Sequence, residues 1–191
     1  MIHETGPDFE AVTRLQAELE GESPRGTVLV ATSMLEEMLR ELISAYLVPN
    51  PSSSDTLLDG PNAPFGSFSG KIDAAYRLGL ISNQFCRDLH LIRKIRNDVA
   101  HQPKSFRFED SSPSSRIEAL TKSHGIFARS PKWVEEHGTP SLREQFTETT
   151  SWMLFFLAAE KARVKATKPS DLEFGYFSTL DTTSGLPENF S

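Results

Sequence analysis

The side chains able to do chemistry in "IRKIRNDVAH", residues 92–101, follow a helical spacing. Arg93, Asn97 and His101 recur at intervals of four, Arg96 lies three beyond Arg93, and His90 falls on the same stripe. At about 100° per residue they share one side of a helix. Phe85, Leu89, Ile92, Ile95 and Val99 occupy the other, apolar side. The Arg96 guanidinium offers a fixed fork of donors suited to a phosphate, and His101 can take or give a proton near neutral pH. Such a pair could cleave a phosphodiester without a metal. His101 would deprotonate the 2′-hydroxyl or protonate the leaving 5′-oxygen while Arg96 stabilises the developing charge, chemistry that requires RNA. A plainer reading, favoured by spacing alone, is that Arg93, Lys94, Arg96 and His101 finish a helix, whose macrodipole and unpaired carbonyls attract cations.

The elements that must position these residues are helices. Phe9, Val12, Leu15 and Leu19 keep the period of an amphipathic helix that Gly21 ends. Ser23 as cap and Pro24 at the first helical position open a central, mostly buried helix running to about Val48. A loop rich in Pro, Ser, Asn and Gly follows over residues 49–68. Ser69 is the predicted cap of a helix stopping at Gly79, and Ser82 that of the motif helix, which Pro103 ends. Phe106 and Phe108 alternate with charged residues, which predicts a short extended segment. A helix over residues 111–125, a loop with a helical turn, and a long helix opened by Thr139 and Pro140 complete the domain. The class is all-α, a bundle of four to five main helices. One domain spans residues 8–168, and residues 169–191, rich in Ser, Thr, Gly and Pro, form a loosely held tail.

Composition narrows the function. A formal net charge of −6 supplies no general field for nucleic acid, so any such contact is local. The single cysteine, Cys86, excludes an internal disulfide and suits a reducing compartment. No leader is visible at the N-terminus, and "WMLFFLAA" is far shorter than the roughly 20 residues that span a bilayer, so a cytoplasmic protein is expected. Cys86 has no evident activating histidine and reads as a small buried residue. Phe155 and Phe156 read as core. Asp59, Gly60, Gly66, Ser67 and Ser69 could line an anion site at a helix start, but "FGSFSGK" lacks the phosphate-loop spacing and reads as loop closure. Glu135, Glu136 and His137 are consecutive, which makes a metal site there unfavourable. No cofactor or metal is expected.

Two family resemblances rest on quoted stretches. "RNDVAH" resembles the arginine, polar residue, three further residues, histidine signature of the HEPN superfamily. "GTVLVATSMLEEMLRELISAYLV", "LLDGPNAPFGSFSGKIDAAYRLGLIS", "DLHLIRKIRNDVAH" and "LREQFTETTSWMLFFLAAE" are similar to the mannitol repressor (MltR) family, over roughly residues 10–165. The first resemblance implies a HEPN-like helical bundle, dimeric, with Arg96 binding phosphate, Asn97 as polar partner and His101 as acid or base. Arg93 and His90 would add RNA or phosphate contacts. Where many HEPN ribonucleases carry a tyrosine two residues after the histidine, this chain has Pro103. The second implies a negative regulator of gene expression. The expected function is therefore regulation through protein contacts or RNA, with direct DNA binding disfavoured and the membrane excluded. The alternative is a metal-independent endoribonuclease of toxin or anti-phage type. Expected partners are a second copy of the chain, an RNA substrate, and a partner regulator or antitoxin protein.

Overall fold

A computed structural model describes residues 9–52, 54–101, 106–124 and 131–172. The described residues form seven helices and no strand: α1 (Phe9–Glu20), α2 (Pro24–Tyr46), α3 (Phe68–Arg77), α4 (Asn83–His101), α5 (Ser111–His124), α6 (Pro131–His137) and α7 (Leu142–Arg163). The class is all-α, as the sequence pattern requires. Residues 173–191, most of the expected tail, lie outside the described residues, and 164–172 have no regular structure.

The centre of the bundle is the α2–α7 pair, flanked by α1, α3 and α4, with α5 bridging α4 and α7. Helix α2 starts where its local chemistry dictates. Ser23 Oγ accepts from the Gly26 amide at 3.0 Å and Pro24 needs no amide partner. Val28, Ala31, Leu35, Leu39, Leu42 and Ile43 then repeat at three and four and are fully buried. Helix α7 is capped by Ser141, one residue beyond the predicted Thr139–Pro140 start. Glu144 returns the bond in a capping box, Ser141 N donating to Glu144 Oε2 at 2.7 Å. A bond from the Ser141 hydroxyl, joined by this backbone one, holds the Glu144 carboxyl below its ordinary range.

Between α2 and α3 the loop closes on the helices. Arg40 donates two bonds of 2.7 Å to the Asp59 carboxylate, and Lys71, 4 % exposed, donates to the Gly66 carbonyl at 2.8 Å and to Glu36 Oε1 at 3.2 Å. At Gly66 any Cβ would stand 2.7 Å from the Gly60 carbonyl oxygen, so the tight approach needs glycine. The cap of α3 is Ser67, whose Oγ accepts from Gly70 N at 3.0 Å, and Ser69 is already inside the helix. Asp59, Gly60, Gly66 and Ser67 thus serve loop closure. Gly79, at φ 75°, stops α3 and turns the chain into α4.

The predicted extended segment is not a strand. Phe108 begins a turn, and Phe106 and Phe108 plug the core, their rings 5.4 Å apart and Phe108 5.5 Å from Phe146 of α7. Burial of two rings, with no partner strand present among the described residues, outweighs the alternation. The predicted loop with a helical turn is α6.

Candidate functional site

Ser82 starts α4, its Oγ accepting from Phe85 N at 3.1 Å. Leu89, Ile92, Ile95 and Val99 are fully buried, while Phe85 is half-buried. Two carboxylates on the same helix hold α5. At the far end of α4, Asp98 pairs with Arg116 and accepts from Ser112 Oγ at 2.8 Å. Ten residues earlier, about 15 Å along the axis, the fully buried Asp88 takes bonds from Ser123 Oγ and, at 3.0 Å, from Arg87 Nη2. Arg25 Nη1 donates to the Val99 carbonyl at 3.2 Å, tying the end of α4 to the start of α2. These anchors make the last turns of α4 a fixed platform.

On that platform the predicted stripe divides in two. Arg96 and His101 are exposed and Asn97 is half-buried; among the described residues none of the three makes a side-chain hydrogen bond or ion pair. His90 and Arg93 face elsewhere. His90 Nε2 donates to Asp73 Oδ1 of α3 at 3.0 Å, and Arg93 Nε donates to His90 Nδ1 at 3.4 Å. The structure therefore leaves Arg96 and His101 exposed on the last turns of α4 and turns His90 and Arg93 toward α3. Pro103 lies outside the described residues.

Cys86 is buried, as the sequence suggested, and the same contact brings a histidine and a carboxylate near it. Cys86 and His90 are one turn apart on α4, and with Asp73 their ligand atoms lie within 4.8 Å of one another. The thiol thus has a histidine beside it. Burial, followed by the nearby Asp73 charge, pushes its pKa upward. A histidine four positions on was visible in the sequence; the carboxylate on another helix was not.

Helix α7 carries a second surface feature. Phe156 is 55 % exposed and Phe155 half-buried, so neither is core as the sequence suggested. Instead the buried side of α7 includes Thr147, Thr149, Thr150 and Ser151: Thr150 Oγ1 donates to the Phe146 carbonyl at 2.9 Å and Ser151 Oγ to the Thr147 carbonyl at 2.8 Å, while Thr149 Oγ1 has no hydrogen-bond partner among the described residues. That leaves the aromatic side toward solvent. Trp152, Phe155 and Phe156 form a cluster with ring centroids 5.6–6.2 Å apart. It borders an open groove of about 530 Å³, floored by Leu80, Ile81 and Phe85 and edged by Arg163. Phe85 is near the start of α4 and His101 at its end, about 24 Å apart along the helix.

Also on α7, burial raises the Glu148 pKa, partly offset by a hydrogen bond from Trp152. A carboxyl whose folded pKa is raised contributes stability below its ordinary value of 4.5 and loses it as pH rises through the folded value. Glu148→Gln, which keeps an acceptor for Trp152 without the charge, is expected to melt higher than wild type at about pH 7. The gap should close below pH 4.5. Thermal unfolding at both pH values checks it, and an equal gap at both would remove burial of the charge as the cause.

Among the described residues, fold and surface define an all-helical bundle with an Arg and a His exposed at the end of α4 and an exposed aromatic face on α7. The particular likeness is to the MtlR–HPr complex from Escherichia coli, with a TM-score of 0.57 and 17 % identity over 78 % of this chain and 99 % of that one. This is a likeness of fold. No family model and no curated protein sequence matches the chain.

Proposed function

We propose that this chain is a regulatory protein of the mannitol-repressor type, a negative regulator of gene expression acting through contact with another protein. The observation that carries the reading is the aromatic face of α7, where Phe156 stands 55 % exposed beside an apolar groove. Contiguous exposed aromatic surface rimmed by charge is characteristic of protein contacts. The similar MtlR structure is itself a complex with a second protein, HPr, which supports a fold of this kind receiving a partner. A net charge of −6 argues against direct DNA reading. A photo-crosslinking side chain placed at position 156 in living cells is expected to trap one discrete protein, and the same probe at Met34 of α2 to trap none. RNA adducts at 156, or equal labelling at both positions, would overturn the reading.

The exposed pair Arg96 and His101 favours a second reading, a metal-independent endoribonuclease in which two copies of the chain meet at their α4 ends. Such a dimer would place two Arg96 and two His101 around one RNA strand, with Asn97 as the polar neighbour. Its test is induced expression of wild type beside Arg96→Ala and His101→Ala. Growth arrest with new RNA ends in the wild type alone supports it; intact RNA in all three removes it.

A further inference from the structure

Asp73, Cys86 and His90 combine three different donor types, and we propose that they bind a borderline-soft divalent cation, Zn²⁺ by chemistry, at the junction of α3 and α4. Cys86 and His90 project from successive turns of α4, and Asp73 reaches them from α3, placing one sulfur, one nitrogen and one oxygen within 4.8 Å of one another. Four-coordinate zinc, with bonds of about 2.0–2.3 Å, needs its ligand atoms about 3.3–3.6 Å apart. The sulfur therefore has to approach its two partners by up to about 1.5 Å, and the 3.0 Å His90–Asp73 pair has to open slightly, both within reach of side-chain rotation.

A second observation points the same way. The Cys86 side chain is only 8 % exposed and, among the described residues, makes no hydrogen bond, yet it lies on the side of α4 that carries His90. A buried cysteine with only packing to do is ordinarily surrounded by apolar groups; this one is part of the apolar core and also has an imidazole nitrogen and a carboxylate oxygen within 4.8 Å. Asp73 is 62 % exposed and His90 25 %, so solvent reaches the cluster from one side and a water could hold the fourth position.

Binding has a definite proton balance. The cation takes the Cys86 thiolate, releasing one proton to solvent. His90 now donates from Nε2 and accepts from Arg93 at Nδ1; on binding, its hydrogen passes from Nε2 to Nδ1 through solvent, leaving the Nε2 lone pair to the metal. The Arg93 contact, 3.4 Å long, must then break, and its half-buried side chain is long enough to swing outward. Thiolate and carboxylate together supply two negative charges, which neutralise the cation.

The test is titration of the purified full chain with Co²⁺, a spectroscopic substitute for Zn²⁺. The wild type is expected to bind one Co²⁺ with a thiolate-to-cobalt charge-transfer band in the near ultraviolet, which Zn²⁺ then abolishes by competition. Cys86→Ser should lose the band. Asp73→Asn and His90→Gln alter exposed or half-exposed positions that folding tolerates, and each should weaken Co²⁺ binding at least tenfold. Absence of the band in the wild type, or unchanged Co²⁺ affinity in Asp73→Asn and His90→Gln, would overturn the proposal.

Discussion

Replacing Phe146 by alanine is expected to destabilise the protein by about 3–5 kcal/mol, the range for a buried aromatic ring exchanged for a methyl group. Phe146 is fully buried in α7, and its ring lies 5.5 Å from that of Phe108, which itself touches Phe106. The loss has two parts: the transfer energy of the ring, and the cavity it leaves where α5, α7 and the 106–108 turn converge. Phe146→Leu, which refills much of the volume, should cost clearly less. Urea unfolding with an unchanged slope reads both values directly.

Lys71→Ala is the second large effect, expected at about 2–3 kcal/mol. The Lys71 side chain is 5 % exposed, and its ammonium serves both the Glu36 carboxylate and the Gly66 carbonyl. Truncation leaves the carbonyl without its donor and the carboxylate without its counter-charge. Because Glu36 is 28 % exposed, water recovers part of its solvation, which keeps the cost below that of a fully buried broken pair. Lys71→Met retains the apolar stem and loses only the charge, so it should fall between wild type and alanine. Amide exchange should show the damage concentrated in residues 57–71, while α1 and α7 keep their protection.

What was legible in the sequence was local. The Ser23–Pro24 start, the Gly79 stop and the apolar period of α4 each depend on a few neighbouring residues, and each is found as the spacing predicts. Pairings between distant residues were not legible. Nothing along α4 marks Asp98 as the partner of Arg116 and Ser112, or Asp88 as that of Ser123, because those partners arrive from α5. The division of His90 and Arg93 from Arg96 and His101 follows from Asp73 on α3, which no periodicity along α4 could report. Helix α7 misled for a different reason. Hydroxyls that bond back to their own helix can be buried cheaply, so Thr150 and Ser151 went inward and Phe156 outward, against a simple apolar count.

The proposed regulation runs through the aromatic face of α7, independently of the α4 end. The two lie far enough apart for substitutions at one to leave the other intact, and Phe156, 55 % exposed, can change without loss of fold. The direct measurement is the transcript profile of cells lacking this gene, complemented with wild type, Phe156→Asp, or Arg96→Ala combined with His101→Ala. Phe156→Asp should behave as the uncomplemented strain and the Arg96, His101 double substitution as wild type. The opposite pattern, regulation kept by Phe156→Asp and lost with Arg96 and His101, would contradict the account and place the activity at the end of α4.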